Sequence, residues 1–217
     1  MKSINTRQRQ TTRGIRNTGC ITALAVACIV ALPQATHAER VMAPHVPDNL
    51  EVTGPNKVFL VGHAVGTQNY VCLPSGSAFA WNLFTPEATL FNDEGKQIIT
   101  HFFSPNPFEG GIVRATWQDS RDTSAFWGMV TDTSTDSHFV RDGAIPWLKL
   151  QFAGSQDGPT GGDRLTGTTF VQRVNTAGGA APLTGCSQAT DVGKKAFIPY
   201  TADYFFYEHS GRYGRDD

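Results

Sequence analysis

The chain has 217 residues, with 18 Lys and Arg against 19 Asp and Glu, and 40% of its residues are hydrophobic. This balance excludes a highly charged disordered chain, and the 22 Gly and 12 Pro exclude a coiled coil without approaching a collagen repeat. A net charge near zero gives no electrostatic reason to expect nucleic acid as a partner.

Residues 1–38 have the pattern of a cleaved secretory signal peptide. Five basic and no acidic residues accompany the apolar run 20–32, which Pro33 ends, and cleavage is expected after Ala38. The run is shorter than the roughly 20 residues that span a bilayer, which disfavours the alternative of an uncleaved anchor. The remaining 179 residues carry a formal charge of −6. We therefore expect an exported protein, periplasmic or secreted, with no stable membrane span after cleavage.

Cys72 and Cys186 are the two cysteines that remain after cleavage. Two cysteines in an oxidising compartment most often pair, so the sequence predicts one disulfide. Closing a loop of over a hundred residues would stabilise the fold by roughly 4–5 kcal/mol by the chain-entropy argument. A metal-binding or nucleophilic pair is the alternative, which the lack of a CxxC spacing disfavours.

Short runs rich in β-branched and aromatic residues follow an extended, Pro-rich segment at 39–55. Each run predicts a strand. The runs are 57–66, 67–73, 78–84, 88–92, 97–103, 112–118, 126–131, 145–152, 167–176 and 197–207. Turn-forming residues separate them, and no helical periodicity occurs after residue 38. We predict one all-β domain over residues 56–217, an antiparallel β-sandwich or barrel, with the polar segment 132–143 as a surface loop.

Local motifs for catalysis or metal binding are missing from the sequence. It contains no GxSxG, SxxK, HExxH or P-loop pattern. The segment 132–138 (DTSTDSH) lacks the Gly and Glu of an EF-hand loop. The five histidines after residue 38 form no HxH or HxxxH pair, so a metal site would need them to converge from distant strands. The sequence demands no metal and no cofactor.

His101 is the most suggestive side chain for a functional role. It alternates with Ile99 on an otherwise apolar strand face, where a histidine must find a partner or lower its pKa. One alternative is a core histidine whose ring nitrogens are hydrogen-bonded. The other is a functional histidine at the rim of a cleft, acting as a general base or contacting a ligand. Gln68 and Tyr70 alternate on another strand and would be its hydrogen-bonding neighbours.

Tryptophans are the second candidate feature. Aromatic side chains around a cleft suit a sugar or a flat organic molecule, although on strands they more often belong to the core. In the strand 145–152, alternation places Leu148 and Leu150 in the core and Trp147 on the other face, partly exposed beside Lys149. The candidate ligand-binding residues are Gln68, Tyr70, Trp81, His101 and Trp147.

Several segments together resemble a known family. They are GTQNYVC (66–72), Trp81 with PEATL (86–90), Gly95 to His101, IPWLKL (145–150), TTFVQRVNTAGGAAP (168–182) with Cys186, and YTADYFFY (200–207). In this order they resemble the exported bacterial and fungal family of domain of unknown function 3455, over roughly residues 45 to 207. The resemblance implies a β-rich exported protein with Cys72 and Cys186 paired. It assigns no reaction, so no catalytic residue is carried over to this chain. The chain has FFSPNPF (102–108) where the family has a Gly-Pro-Trp-like turn.

Two functional interpretations are favoured by these observations. The first is a non-catalytic ligand-binding or envelope-associated module, which would take a small molecule or a saccharide. The alternative is a hydrolase-type enzyme with a site built around His101, Gln68 and Tyr70 from separate strands. A metal-dependent protein using scattered His and Asp side chains is a third possibility. Convergence of the three named side chains in one cleft would support a ligand or substrate site.

Overall fold

A computed structural model describes residues 41–211; the predicted signal peptide, residues 1–38, lies outside this range. The described chain forms eight strands and three 3-10 turns. The strands are β1 (Asn56–Ser75), β2 (Ala78–Phe91), β3 (Gln97–Asn106), β4 (Ile112–Asp119), β5 (Ala125–Ser134), β6 (Trp147–Gln156), β7 (Thr168–Gly178) and β8 (Lys195–His209). Among residues 41–211, no helix has the length and apolar character needed to cross a membrane.

The strands close into an up-and-down barrel. Each strand pairs antiparallel with the next, and β1 also pairs with β8 from Asn56↔His209 to Val71↔Lys195. The prediction of an all-β, antiparallel single domain is confirmed, and of the two expected architectures the chain adopts the barrel. An eight-stranded barrel has an interior that side chains can just fill, or that can hold one small ligand.

Two of the breaks expected between strands are wrong. The runs 57–66 and 67–73 form one strand, β1, and the runs 78–84 and 88–92 form β2. Gly66 lies within β1, at a position where β2 approaches closely. A Cβ here would overlap the backbone of Glu87 and Ala88 on β2, so the position requires glycine. This glycine therefore permits the close approach of the two long strands, whereas the sequence pattern predicted that it ends a strand.

Pro86 lies inside β2 and changes its pairing with β3. Proline offers no backbone N–H to a ladder. The β2–β3 ladder ends at Ala88↔His101, and beyond this point the N–H of Phe103 donates to the side chain of Thr85, with Phe103 N and Thr85 Oγ1 3.1 Å apart. The two strands are therefore no longer joined by backbone pairs at the level of Pro86.

One half of the barrel interior is densely packed. This half lies toward the β4–β5 and β6–β7 connections. Its buried side chains are Leu60, Leu90, Ile99, Phe126, Val171 and Phe206. Leu165, from the loop before β7, packs against them without exposed surface, and its N–H donates to Ser124 Oγ at 3.1 Å. This packing closes that end of the barrel.

A second apolar cluster lies on the outside of the barrel. The segment before β1 places Val46 and Leu50 against Trp147 and Val174, and the Trp147 ring meets Phe139 edge-on at 5.6 Å. Trp147 is only 5% exposed, so the expectation that it is partly exposed is wrong. It lies on the outer face of β6, as alternation predicts, but the segment 41–55 covers this face.

We expect Leu50→Ala to lower the free energy of unfolding by about 2 kcal/mol, since Leu50 is fully buried in the outer cluster. Urea denaturation of the purified protein gives this value. Met42→Ala is the matched control in the same segment, because Met42 is exposed and should change stability by less than about 0.5 kcal/mol. An equally small effect of Leu50→Ala would show that the segment does not pack on the barrel in solution.

Candidate functional site

The half of the barrel toward the β1–β2 and β5–β6 connections holds a cavity of about 240 Å³. Ten of its fifteen lining residues are apolar. These are Leu83, Pro86, Phe103, Ala115, Trp117, Val130, Ile145, Pro146, Leu148 and Leu150. The polar lining residues are Gln68, Tyr70, His101, Arg173 and Tyr204. Leu83 and Val130 are also 39% and 50% exposed, so the cavity reaches the surface beside them.

His101 lies at the wall of this cavity in a fixed orientation. Its ring stacks on the Trp117 indole with centroids 4.4 Å apart and contacts the Tyr204 ring at 5.2 Å. Nδ1 lies 2.8 Å from the carbonyl oxygen of Thr116, which can only accept, so Nδ1 carries the proton. Burial lowers the pKa of His101 to about 3. The ring is therefore neutral at physiological pH, and Nε2 is a hydrogen-bond acceptor.

Arg173 brings a positive charge to the cavity. Its side chain is on β7, and the residue is 9% exposed. Nη2 and Nε donate to the carbonyl oxygen of Pro146, at 2.8 and 3.3 Å. Among residues 41–211, Arg173 takes part in no ion pair. The cavity therefore holds one cationic group without a carboxylate beside it.

Buried tyrosines and Gln68 complete the polar side of the cavity. The Tyr204 and Tyr200 hydroxyls are 3.2 Å apart, and burial raises the pKa of both. Gln68 Nε2 lies beside the Tyr200 hydroxyl but outside hydrogen-bonding geometry to any described residue. The Tyr70 hydroxyl donates to the Gly179 carbonyl at 2.7 Å, which fixes this ring at the end of β7.

The structure brings three of the five predicted ligand-binding residues together and separates the other two. Gln68, Tyr70 and His101 line the cavity. Trp81 lies on the barrel wall outside it and donates its indole N–H to the Thr184 carbonyl at 3.0 Å. Trp147 belongs to the outer cluster. The tryptophan that does line the cavity is Trp117.

Sequence reasoning missed Arg173 and Tyr204. Both lie on strands whose two faces each carry polar or aromatic residues, so alternation did not mark an inner face. The available signal was the position of Arg173 two residues after Val171, on the same face of the strand. A charged residue in register with an apolar one is a candidate for a buried charge.

No group of three His, Cys, Asp or Glu side chains within residues 41–211 is arranged to hold a metal ion. His63, the histidine nearest to two carboxylates, lies on the outside of the barrel. Its Nδ1 is 2.7 Å from Asp203 Oδ1 and its Nε2 is 2.9 Å from Asp93 Oδ1. The hydrogen bond to Asp203 raises the pKa of His63 against the opposing effect of burial.

The predicted disulfide is confirmed and lies at the cavity end of the barrel. Cys72 on β1 is bonded to Cys186 in the connection between β7 and β8, with the two Cα atoms 5.5 Å apart. Backbone hydrogen bonds between Cys72 and residues 193–194 hold the same connection. The connection between β7 and β8 is thus attached to β1 at Cys72 by both a covalent bond and backbone hydrogen bonds.

Comparison with known proteins agrees with the resemblance seen in the sequence. The family described as "Protein of unknown function (DUF3455)" matches residues 53–208. The match spans all eight strands, although it stops one residue short of the end of β8. No curated protein and no solved structure matches the chain.

Proposed function

We propose that this chain, which belongs to the DUF3455 family, is a non-catalytic binding protein that holds one small organic molecule inside its barrel. The observation that carries the proposal is the cavity of about 240 Å³ beside the buried apolar cluster of the barrel interior. Small-molecule sites are concave and mostly apolar, with a few placed polar groups, and this cavity has that composition.

The size of the cavity supports a molecule with about one ring. An apolar cavity of about 150 Å³ in a protein core is large enough to bind benzene. A cavity of about 240 Å³ has room for a ring and a short polar side chain. Phe103 lines the cavity and is only partly buried, so its ring is available for such a ring to pack against.

A saccharide is less well supported than a mostly apolar molecule. The hydroxyls around a sugar ring need hydrogen-bond partners on several sides, whereas two thirds of the lining residues are apolar. The polar groups of the cavity are concentrated around Arg173 and Gln68. This asymmetry suits a molecule with one polar end.

The hydrolase alternative lacks support from the lining residues. Among the described residues that line the cavity there is no Ser, Thr, Cys, Asp or Glu to act as nucleophile or as partner of the histidine. A general base works best when its pKa lies near the operating pH, and that of His101 is lowered to about 3. The same side chain suits an acceptor that orients a bound molecule.

We also propose that the protein works outside the cytoplasm. The signal-peptide pattern of residues 1–38 supports this, as does the Cys72–Cys186 disulfide, because structural disulfides persist in oxidising compartments. Detection of a protein that starts at Glu39 in the periplasmic or culture fraction would test the proposal.

Ala115→Leu tests the cavity as the binding site. Ala115 lines the cavity, so a leucine here occupies the space that a ligand needs. We expect saturable binding of 3-phenylpropanamide, a neutral one-ring probe, to weaken at least roughly tenfold in this variant, which corresponds to about 1.4 kcal/mol. Titration calorimetry measures the affinity, and the indole N–H resonance of Trp117 reports occupancy of the cavity.

Ala78→Leu is the matched control, because Ala78 is exposed at the start of β2. It should bind the probe as the unmodified protein does. Unchanged affinity in Ala115→Leu, with the fold retained, would place the binding site outside the barrel and contradict the proposal.

A further inference from the structure

The guanidinium of Arg173 is a buried charge that forms no ion pair with any carboxylate among residues 41–211. A guanidinium has five N–H donors. Two of them donate to the Pro146 carbonyl, and the side chain also hydrogen-bonds to the Tyr204 hydroxyl, but neither acceptor carries a negative charge. Taking a charge out of water costs several kcal/mol unless an opposite charge or a full set of hydrogen bonds compensates it. Within residues 41–211, no Asp or Glu forms an ion pair with this side chain.

Four titratable side chains, one histidine and three tyrosines, lie close enough to Arg173 for its charge to affect their pKa. None of them carries a negative charge that would neutralise it. The positive charge of Arg173 acts to lower the pKa of His101 and of Tyr70, Tyr200 and Tyr204. Burial keeps the three tyrosines protonated, with their pKa raised despite Arg173. All four neighbours are therefore neutral at physiological pH, and the field of Arg173 in the cavity is uncompensated.

Two more donors are buried behind the cavity wall without an acceptor within residues 41–211 in hydrogen-bonding geometry. Gln68 Nε2 and Trp117 Nε1 are fully buried and have no hydrogen-bond partner among the described residues. Both residues line the cavity. Buried donors without partners are rare in folded proteins, and an unsatisfied one costs about 1–3 kcal/mol. Neither donor atom has accessible surface toward the cavity, so Arg173 is the charged donor that the cavity presents to a bound anion.

We propose that the cavity takes a small monocarboxylate, with its carboxylate on Arg173 and its apolar body against the apolar side chains that line the cavity. This inference rests on the proposed function and names the chemical class of its ligand. A planar carboxylate can accept two parallel hydrogen bonds from a guanidinium. Arg173 is the only cationic side chain among the described lining residues, so one negative charge is compensated and a second is not. The apolar walls favour an uncharged remainder.

The test compares two probes of nearly the same shape, 3-phenylpropionate and 3-phenylpropanamide, on the unmodified protein at pH 7.5. We expect the acid to bind at least roughly tenfold more tightly, because a hydrogen bond between charged partners is worth about 1.5–3 kcal/mol. Equal affinities would overturn the inference and leave the proposed function standing. Failure of both probes to bind at millimolar concentration would overturn both.

Arg173→Met then assigns the preference to this residue. Methionine keeps an unbranched side chain of similar reach and removes the charge. We expect the affinity for the acid to fall at least roughly tenfold while that for the amide changes less than about twofold. Arg121→Met, at an exposed arginine, is the matched control and should leave both affinities unchanged. An acid preference that survives in Arg173→Met would overturn the inference.

Two further measurements keep the inference testable if Arg173→Met does not fold. The comparison of acid with amide on the unmodified protein needs no variant. Arg173→Lys keeps the charge but loses the planar pair of donors, so it should bind the acid more weakly than the unmodified protein and still prefer it to the amide. Tighter binding of 2-phenylethyl phosphate than of the carboxylate would contradict the monocarboxylate assignment.

Discussion

Reduction of the Cys72–Cys186 disulfide is expected to lower the free energy of unfolding by about 4–5 kcal/mol. The bond joins residues 114 positions apart, and a loop of this length restricts the unfolded chain strongly. Typical domains have a total stability of about 5–15 kcal/mol, so the reduced protein should lose a large fraction of its stability. Urea denaturation with and without a reductant measures the difference.

Cys186→Ser is the variant that tests the same bond. It leaves the fully buried Cys72 side chain in place, so the core keeps its packing while the bond is lost. Its stability should match that of the reduced protein and should not respond to reductant. A loss of less than about 1 kcal/mol in both experiments would contradict the prediction and show that backbone hydrogen bonds around Cys72 suffice to hold the β7–β8 connection.

Acidification is expected to destabilise the protein through His101. The pKa of His101 is about 3 in the folded protein and near 6.5 in the unfolded chain. As pH falls below about 6.5, the unfolded chain binds a proton that the folded state does not accept. The free energy of unfolding should therefore fall by about 3 kcal/mol between pH 7.5 and pH 4 from this residue alone.

His101→Gln isolates this contribution. Glutamine is neutral at every pH and retains an N–H donor for the Thr116 carbonyl. The variant should lose about 3 kcal/mol less stability than the unmodified protein between pH 7.5 and pH 4. Equal pH dependence in the two proteins would mean that His101 is protonated in the folded state.

His63→Gln is the contrasting variant. The pKa of His63 is raised in the folded protein, with the hydrogen bond to Asp203 as the largest cause. Its contribution is present below the unfolded pKa of about 6.5 and is lost as pH rises through the folded value. His63→Gln should therefore lower stability at acidic pH and have little effect above the folded pKa, the opposite of His101→Gln. Both slopes can be read from the same set of urea titrations.

The architecture follows closely from local sequence patterns because each strand carries its own β-branched and aromatic run. Strand ends were harder to place where a residue type has two uses. Gly66 is typical of a strand end, but in the barrel it lets β1 approach β2. Pro86 is also typical of a strand end, but it lies within β2, outside the part of the strand that pairs with β3. Such uses depend on neighbouring strands, which the sequence alone does not identify.

The candidate site was predictable in part. His101, Gln68 and Tyr70 could be selected because each is a polar residue that alternates within an otherwise apolar or aromatic run. Arg173 could not be selected with the same rule, since both faces of its strand carry polar residues. Trp147 was misplaced because the segment before β1 covers the outside of the barrel, and no pattern in β6 reveals what lies over its outer face.

The pairing of β1 with β8 also determines when the domain can complete its fold. These strands are the first and last within residues 41–211, and their register joins Asn56 to His209. The barrel cannot close until almost the entire domain has been synthesised. Contacts between residues so far apart make folding slow, since loop closure precedes any gain from pairing. A chain of this design remains open during synthesis, which fits passage across a membrane before the barrel forms. The two ends of the barrel sequence finish side by side, an arrangement that tolerates circular permutation.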